Sequence, residues 1–221
     1  MLRHFGVAAD LGTPLPLAAP VLRARAGTVL RMAETAGAAA DLVGDLERLP
    51  LGPESLDLAA SLLALQGVND LPGALIQIRR ALRPDGLFIG CLLGGRTLQE
   101  LRQVLLEAEA ETAGGASPRI APFADLRDLG SLLQRAGFAL PVVDSEVVIV
   151  RYRDLFGLLR DLRAMGWSNA LSARRRAGMR RDTLMRAAAL YAERFADADG
   201  RLRATFEIVW CSGWAPHESQ Q

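Results

Sequence analysis

Five short apolar runs, separated by segments with helical spacing, occupy the first ninety residues and leave few folds open to this chain. Phe5 to Asp10, Thr28 to Ala33 (TVLRMA), Asp41 to Leu46 (DLVGDL), Ser55 to Leu63 (SLDLAASLL) and Leu87 to Leu93 (LFIGCLL) read as strands. Leu15 to Arg25 carries apolar residues at helical spacing despite Pro20, and Ala36 to Ala40 reads as small-residue helix or loop. Pro72 to Leu82 reads as a helix whose arginines lie near its C-terminal end, where they suit the helix dipole. Pro84-Asp85-Gly86 reads as a turn before the fifth strand. Strands that are apolar almost throughout must be covered on both faces, and helices between them supply the cover. A parallel α/β sheet follows.

The rhythm changes after Leu93. Gly94-Gly95 opens a long polar helix, Thr97 to Thr112, followed by the glycine- and proline-rich GGASPRIAPF. Asp125 to Ala136 reads as an amphipathic helix capped by Gly137, and Val142 to Val150 as a long strand. Arg153 to Met165 and Arg174 to Phe195 read as helices, and Ala204 to Ser212 (ATFEIVWCS) as a final strand. The two late strands fit an antiparallel addition at a sheet edge. The expectation is a single domain over 1–221, with a helical lid insertion at about 94–124 and a second helical insertion at about 151–200.

Charge excludes some partners. The chain has 26 basic and 25 acidic residues, a formal net charge of +1, and every basic residue is arginine. So balanced a chain is not drawn to nucleic acid or to an anionic membrane by bulk charge, and it offers no catalytic lysine. Cys91 and Cys211 sit in apolar segments and read as buried free thiols; no CxxC or His/Cys cluster suggests a metal. His4 and His217 lie at the two ends, so no Ser-His-Asp or Cys-His arrangement can be built, and catalytic residues stay unassigned. No apolar run reaches membrane-spanning length and no cleavable leader is visible. The expectation is a cytoplasmic protein without a transmembrane segment.

Open α/β sheets bind ligands at the carboxyl ends of their strands. Those ends here carry Asp10-Leu11-Gly12, then Glu34, then GDLERLPL (Gly44 to Leu51), then ASLLALQGVNDLP (Ala60 to Pro72). With the LRPDG turn before the fifth strand, this set resembles the class I S-adenosylmethionine-dependent methyltransferases. The resemblance implies a Rossmann-like, mostly parallel seven-stranded sheet with helices on both faces and an antiparallel last strand. It also implies S-adenosylmethionine as cofactor. By position, Asp10 and Gly12 belong to its loop, Glu34 is the ribose acid with Ala33 competing for that place, and Asp45 contacts adenine. Leu46 lies against the ring, and Leu63 to Gln66 lie beneath the methionine end. Past residue 60, VNDLPGALIQIRRALRPDGLFIGCLLGGRTLQELR, GGASPRIAPFADLRDLGSLLQRAGF and DLRAMGWSNAL resemble a narrower group. That group contains the mitochondrial complex I assembly factor that hydroxylates protein arginines, with its bacterial relatives, and more distantly the malonyl-carrier-protein methyltransferases. A complex I subunit or another protein substrate is the partner this implies. Hydroxylation would need an oxidant source that the sequence does not display.

Several of these residues also have a plain structural reading. Asp45 fits a loop-capping aspartate, and Glu34 an acid at a helix N-terminus. Gly94-Gly95-Arg96 fits either a strand-to-helix turn or the hinge of a lid presenting Arg96, Glu100 and Arg102 to substrate. Met165 to Asn169, with Ser168 and Asn169, fits either a substrate contact or a turn between helices. Gln66 and Gly67 stand where relatives of this group commonly have histidine and an aromatic residue.

The opening loop is the sharpest departure. The family pattern DLGCGxG appears here as DLGTPLP, Asp10 to Pro16. Gly12 keeps the first glycine, but Pro14 replaces the second and Pro16 falls at the third. Proline fixes φ and removes an N–H donor where the family uses backbone freedom. Family members also carry a helix before the first strand, whereas here that strand begins almost at Met1. The expectation is a more open pocket with reduced or absent cofactor affinity. The alternative function is therefore a pseudoenzyme or assembly chaperone that keeps the fold without the cofactor.

Overall fold

The computed structural model describes residues 3–14, 18–35, 40–113, 115, 119, 126–166 and 178–217. Its strands are β1 (Phe5–Leu11), β2 (Ala26–Ala33), β3 (Leu42–Val43), β4 (Leu56–Leu62), β5 (Leu82–Leu93), β6 (Ala139–Tyr152) and β7 (Leu202–Trp214). They join in one seven-stranded sheet in the order β3-β2-β1-β4-β5-β7-β6. The first five pair in parallel, and β7 runs antiparallel to β5. The helices are α1 (Ala18–Arg23), α2 (Leu71–Ala81), α3 (Gln99–Ala113), α4 (Leu126–Arg135), α5 (Leu155–Ala164) and α6 (Arg181–Phe195). This is the expected Rossmann-like arrangement, antiparallel last strand included.

The chain divides into two compact units. The first comprises Met1–Leu93, Ala124–Ser145 and Ile208–Gln221. Its central strands are buried on both faces, which explains their unbroken apolar character. Ala9, Leu11 and Ala59 pack in one cluster with Ala74, Leu75 and Ile78 of α2 and Leu129 and Leu133 of α4. Ala8, Leu58 and Ala60 pack in another with Ala18 and Leu22 of α1. Small alanines in β1 and β4 let the helices approach closely. Helix α2 starts where Asp70 accepts the Gly73 N–H at 2.9 Å, and its last turn holds Arg79 and Arg80.

The second unit comprises Gly94–Phe123 and Glu146–Glu207, so the two segments set apart in the sequence fold together. Leu101, Val104, Leu105 and Ala108 of α3 pack with Leu155, Leu158 and Leu162 of α5 and Ala187, Leu190 and Tyr191 of α6. Ion pairs Glu107–Arg194 and Glu111–Arg186 bridge α3 and α6. The buried Tyr191 hydroxyl donates to the Arg203 carbonyl at 2.7 Å.

Several element boundaries need correction. The Pro84-Asp85-Gly86 turn does not precede β5 but interrupts it. Leu56 pairs with Leu82 and Leu58 with Leu87, so the residues between bulge out of the ladder. Asp85 takes φ 60° there, and its N–H donates to the Ala215 carbonyl at 2.8 Å. Strand β3 stops at Val43 because Asp45 turns the chain back on itself. Of the long helix expected over Leu15 to Arg25, only Ala18–Arg23 is helical among the described residues, and Ala26 already belongs to β2. The helix expected from Arg174 begins at Arg181. Ala36 to Ala39 lie outside the described residues.

Candidate functional site

The strand order reverses between β1 and β4. From β1 the chain crosses to β2 on one side, and from β4 to β5 on the other. Their carboxyl ends therefore border the crevice where sheets of this kind hold ligands. Asp10, Gly12, Thr13, Leu63 and Gln66 all lie at these two strand ends.

Asp10 is 0% exposed, and neither of its carboxylate oxygens has a hydrogen-bond partner among the described residues. The Arg31 guanidinium lies beside it, Nε to Oδ2 3.8 Å, in a pair with both side chains buried. Burial pushes the Asp10 carboxyl above its ordinary range; Thr13 and Arg31 oppose that without reversing it. Gly12 takes φ +75°, and its N–H donates to the Met32 carbonyl at 3.1 Å. A Cβ at this position would come within 3.1 Å of Leu46 Cδ1 and 3.2 Å of the Ala64 Cβ. Only glycine meets both the backbone and the space requirement. That contact also brings together the loops after β1, β3 and β4.

The β1 loop is stitched to β4. The Ser61 hydroxyl donates to the Leu11 carbonyl at 2.8 Å, and the Leu62 N–H donates to Thr13 Oγ1 at 3.3 Å. Beyond β4, Leu63 is held at φ 54°, a conformation unusual for leucine. Its N–H donates to the Cys91 carbonyl at 2.8 Å, and its carbonyl accepts Gln66 Nε2 at 2.6 Å. Gln66 Oε1 is buried without a partner among the described residues. Two neighbouring strand ends thus carry three buried acceptor oxygens without a hydrogen-bond partner among the described residues.

The other residues singled out from the sequence fall into three groups. Glu34 follows β2 and is exposed. Asp45 is also exposed, and its Oδ1 accepts the Glu47 N–H at 2.8 Å, so it caps its own turn with one of its two oxygens. Leu46 is buried against Gly12.

Gly95, Arg96, Glu100 and Arg102 belong to the second unit. Glu100 is buried and accepts both the N–H of Thr205, at 3.1 Å, and its hydroxyl. Arg102 donates to the carbonyls of Gly95 at 3.3 Å and Thr97 at 3.2 Å. Glu207 accepts the Arg96 N–H at 2.9 Å while the Arg96 residue is exposed. Ser168 and Asn169 lie outside the described residues.

Sequence reasoning passed over Arg31, Thr13 and Ser61. The signal for Arg31 was present in TVLRMA, because an arginine inside a strand covered on both faces demands a buried counter-charge. The roles of Thr13 and Ser61 depend on the β1–β4 neighbourhood and have no local signature. Cys91 and Cys211 are buried free thiols, as expected. No helix among the described residues is long and apolar enough to cross a membrane.

Comparison with known proteins places this geometry in a family. A methyltransferase domain model matches residues 25–90. The chain is 39% identical over 208 residues to a malonyl-[acyl-carrier protein] O-methyltransferase of Laribacter hongkongensis, covering 92% of this chain and 67% of that protein. It is 48% identical over 179 residues to the arginine-hydroxylase NDUFAF5, mitochondrial, of Homo sapiens, and 45% over 179 residues to its Danio rerio counterpart. Each match covers 81% of this chain, which spans 52% of the human protein and 56% of the fish one, about half their length. Among solved structures, a Bacillus halodurans protein described as a methyltransferase superposes with TM-score 0.64 at 13% identity, covering 98% of this chain and 94% of that one. The YcgJ protein of Bacillus subtilis gives TM-score 0.65 at 12% identity, covering 97% and 94%. At such identity these two establish the fold alone.

The expectation of a cytoplasmic location is corrected by these matches: the relatives at 45–48% identity are mitochondrial by name. The motifs at the strand ends, the strand order and the relatives agree, and the chain belongs to the class I S-adenosylmethionine-dependent methyltransferase superfamily.

Proposed function

We propose that the carboxyl ends of β1 and β4 hold S-adenosylmethionine, through Asp10, Gly12, Glu34, Asp45, Leu46 and Leu63. The observation that carries this reading is the set of buried acceptor oxygens without a hydrogen-bond partner among the described residues, Asp10 Oδ1 and Oδ2 and Gln66 Oε1, beside a glycine held at positive φ against Leu46 and Ala64. Buried acceptors without donors cost free energy unless a ligand satisfies them. S-adenosylmethionine supplies an ammonium and ribose hydroxyls as donors, and an activated methyl group as its chemistry. Gly12 allows close backbone approach, Leu46 gives an apolar surface, and Asp45 offers its second carboxylate oxygen. Pro14 removes an amide from the same loop, so the affinity is expected to be lower than a three-glycine loop would give.

In this reading the protein acts on a protein or small-molecule substrate by methyl transfer, in the setting of respiratory complex I assembly that the resemblance of its sequence motifs implies. Methyl transfer asks mainly for in-line positioning of the acceptor atom, so the lack of a catalytic histidine is no obstacle. The single-domain reading of 1–221, with 94–124 as a lid, is retained as part of the proposal. So is the substrate role of Gly95, Arg96, Glu100, Arg102, Ser168 and Asn169; Arg96, being exposed, is the most available of the described members of that set.

Titration calorimetry with S-adenosylmethionine and S-adenosylhomocysteine tests the proposal. Saturable heat with one site is expected, and no heat together with no thermal shift at millimolar ligand would overturn it.

A further inference from the structure

We infer that Arg31 is a positioning residue for the β1 loop: its guanidinium serves as counter-ion to the Asp10 carboxylate and as tether for the Thr13 carbonyl, and so fixes the backbone on which Gly12 meets a ligand. The inference rests on the cofactor reading above for its ligand, but not for the ion pair itself. Three observations carry it. Asp10 and Arg31 are direct neighbours in the β1–β2 register, and both side chains are buried. Arg31 Nη2 donates to the Thr13 carbonyl at 3.4 Å, immediately before Pro14. Arg31 is itself anchored, since its N–H donates to Asp41 Oδ2 at 2.8 Å and its carbonyl accepts the Asp41 N–H at 2.8 Å.

The physical need is plain. A buried carboxylate with no hydrogen-bond donor stays ionised only where a positive charge is close. The β1 loop has also lost the Pro14 amide, so its carbonyl side carries more of its fixation. Arg31 answers both needs from the neighbouring strand. Among the described residues, the charged group bonded beside the pair is Asp41 from the loop after β2; on the β4 side, Asp10 faces Ala60 in register.

The sign of the pH effect follows. The Asp10 pKa in the folded protein is raised above its unfolded value, so stability falls as pH rises from the unfolded pKa through the folded one. Removing Arg31 raises the folded pKa further and widens that window upward. Thermal unfolding from pH 5 to 8 should therefore show Arg31→Leu losing ground to the wild type as pH rises. Arg31→Lys should recover most of the difference, and Asp10→Asn with Arg31→Leu should abolish the slope. Parallel profiles for wild type and Arg31→Leu would overturn the ion-pair role, whatever any ligand does. Calorimetry with S-adenosylhomocysteine on the same proteins reads the positioning role. The expected loss for Arg31→Leu is about tenfold in affinity or more, larger at low pH, with Arg31→Lys partly rescuing it. Equal affinity of wild type and Arg31→Leu at every pH would overturn positioning. A wild type that binds nothing while the stability profiles behave as expected would remove the cofactor reading and leave the pair standing.

Discussion

Asp10 at the end of β1 and Glu100 in the first turn of α3 are both buried acids, 0% and 6% exposed, yet their surroundings differ. Glu100 spends both oxygens on Thr205, one on its N–H and one on its hydroxyl. It closes the start of α3 onto β7, beside Thr97, whose hydroxyl joins it to the Glu207 backbone. Asp10 has a charge nearby and, among the described residues, no donor in bonding geometry. A satisfied buried acid holds a fold together; an unsatisfied one reserves capacity. Under the proposed function, the buried acid of the first unit is kept for a ligand, whereas that of the second is spent on Thr205.

The comparison can be broken from either side. The largest effect is expected for Glu100→Leu, which strands the Thr205 donors in the interior. Stability should fall by about 2–4 kcal/mol in chemical denaturation, while S-adenosylhomocysteine affinity of the remaining folded protein stays unchanged. An affinity loss without a stability loss would reverse the roles assigned to the two acids. Gly12→Ala comes next. The left-handed backbone costs an alanine about 1–2 kcal/mol, and its methyl group presses on Leu46 and Ala64. Calorimetry should show binding lost while a cooperative unfolding transition persists.

Pro14→Gly sharpens the account in the opposite direction. It restores an N–H and backbone freedom to the exposed loop, so affinity should rise several-fold at a small cost in stability. An unchanged affinity would mean that Pro14 does not limit the site. The smallest effect is expected for Arg194→Ala, which removes a half-exposed pair with Glu107 between α3 and α6. Denaturation should register less than about 1 kcal/mol. Alkylation gives a further check at the level of single groups: burial pushes the Cys211 thiol up to about 12, so it should react with iodoacetamide only after unfolding.

The same contrast explains what the sequence made legible. Strands β1 and β4 and helix α2 were readable because their patterns are local: near-continuous apolar runs for the strands, and for the helix a segment from Pro72 with arginines near its end. The turn at Pro84 to Gly86 was readable as a turn but not as a bulge within β5, since that depends on Ala215 returning to pair with it. Asp10, Gly12 and Leu46 are singled out in the sequence by their place after strands, and the structure brings Gly12 and Leu46 into contact. Arg31 was missed because its meaning lies across a strand boundary, in a register that no stretch of sequence displays. For Glu100 and Arg102 the sequence allows either a plain strand-to-helix turn or charges presented to a substrate. Their partners, Thr205 and the carbonyls of Gly95 and Thr97, become visible only once α3 is seated.

The central claim is that the neighbouring ends of β1 and β4 form the ligand site. A crystal structure grown with S-adenosylhomocysteine tests it most directly. The account expects ligand density at Gly12, within hydrogen-bond reach of the Asp10 and Gln66 oxygens that now lack donors, with its adenine toward Asp45 and Leu46. Density at any other place on the protein, or a crevice at Gly12 that stays empty at saturating ligand, would contradict it.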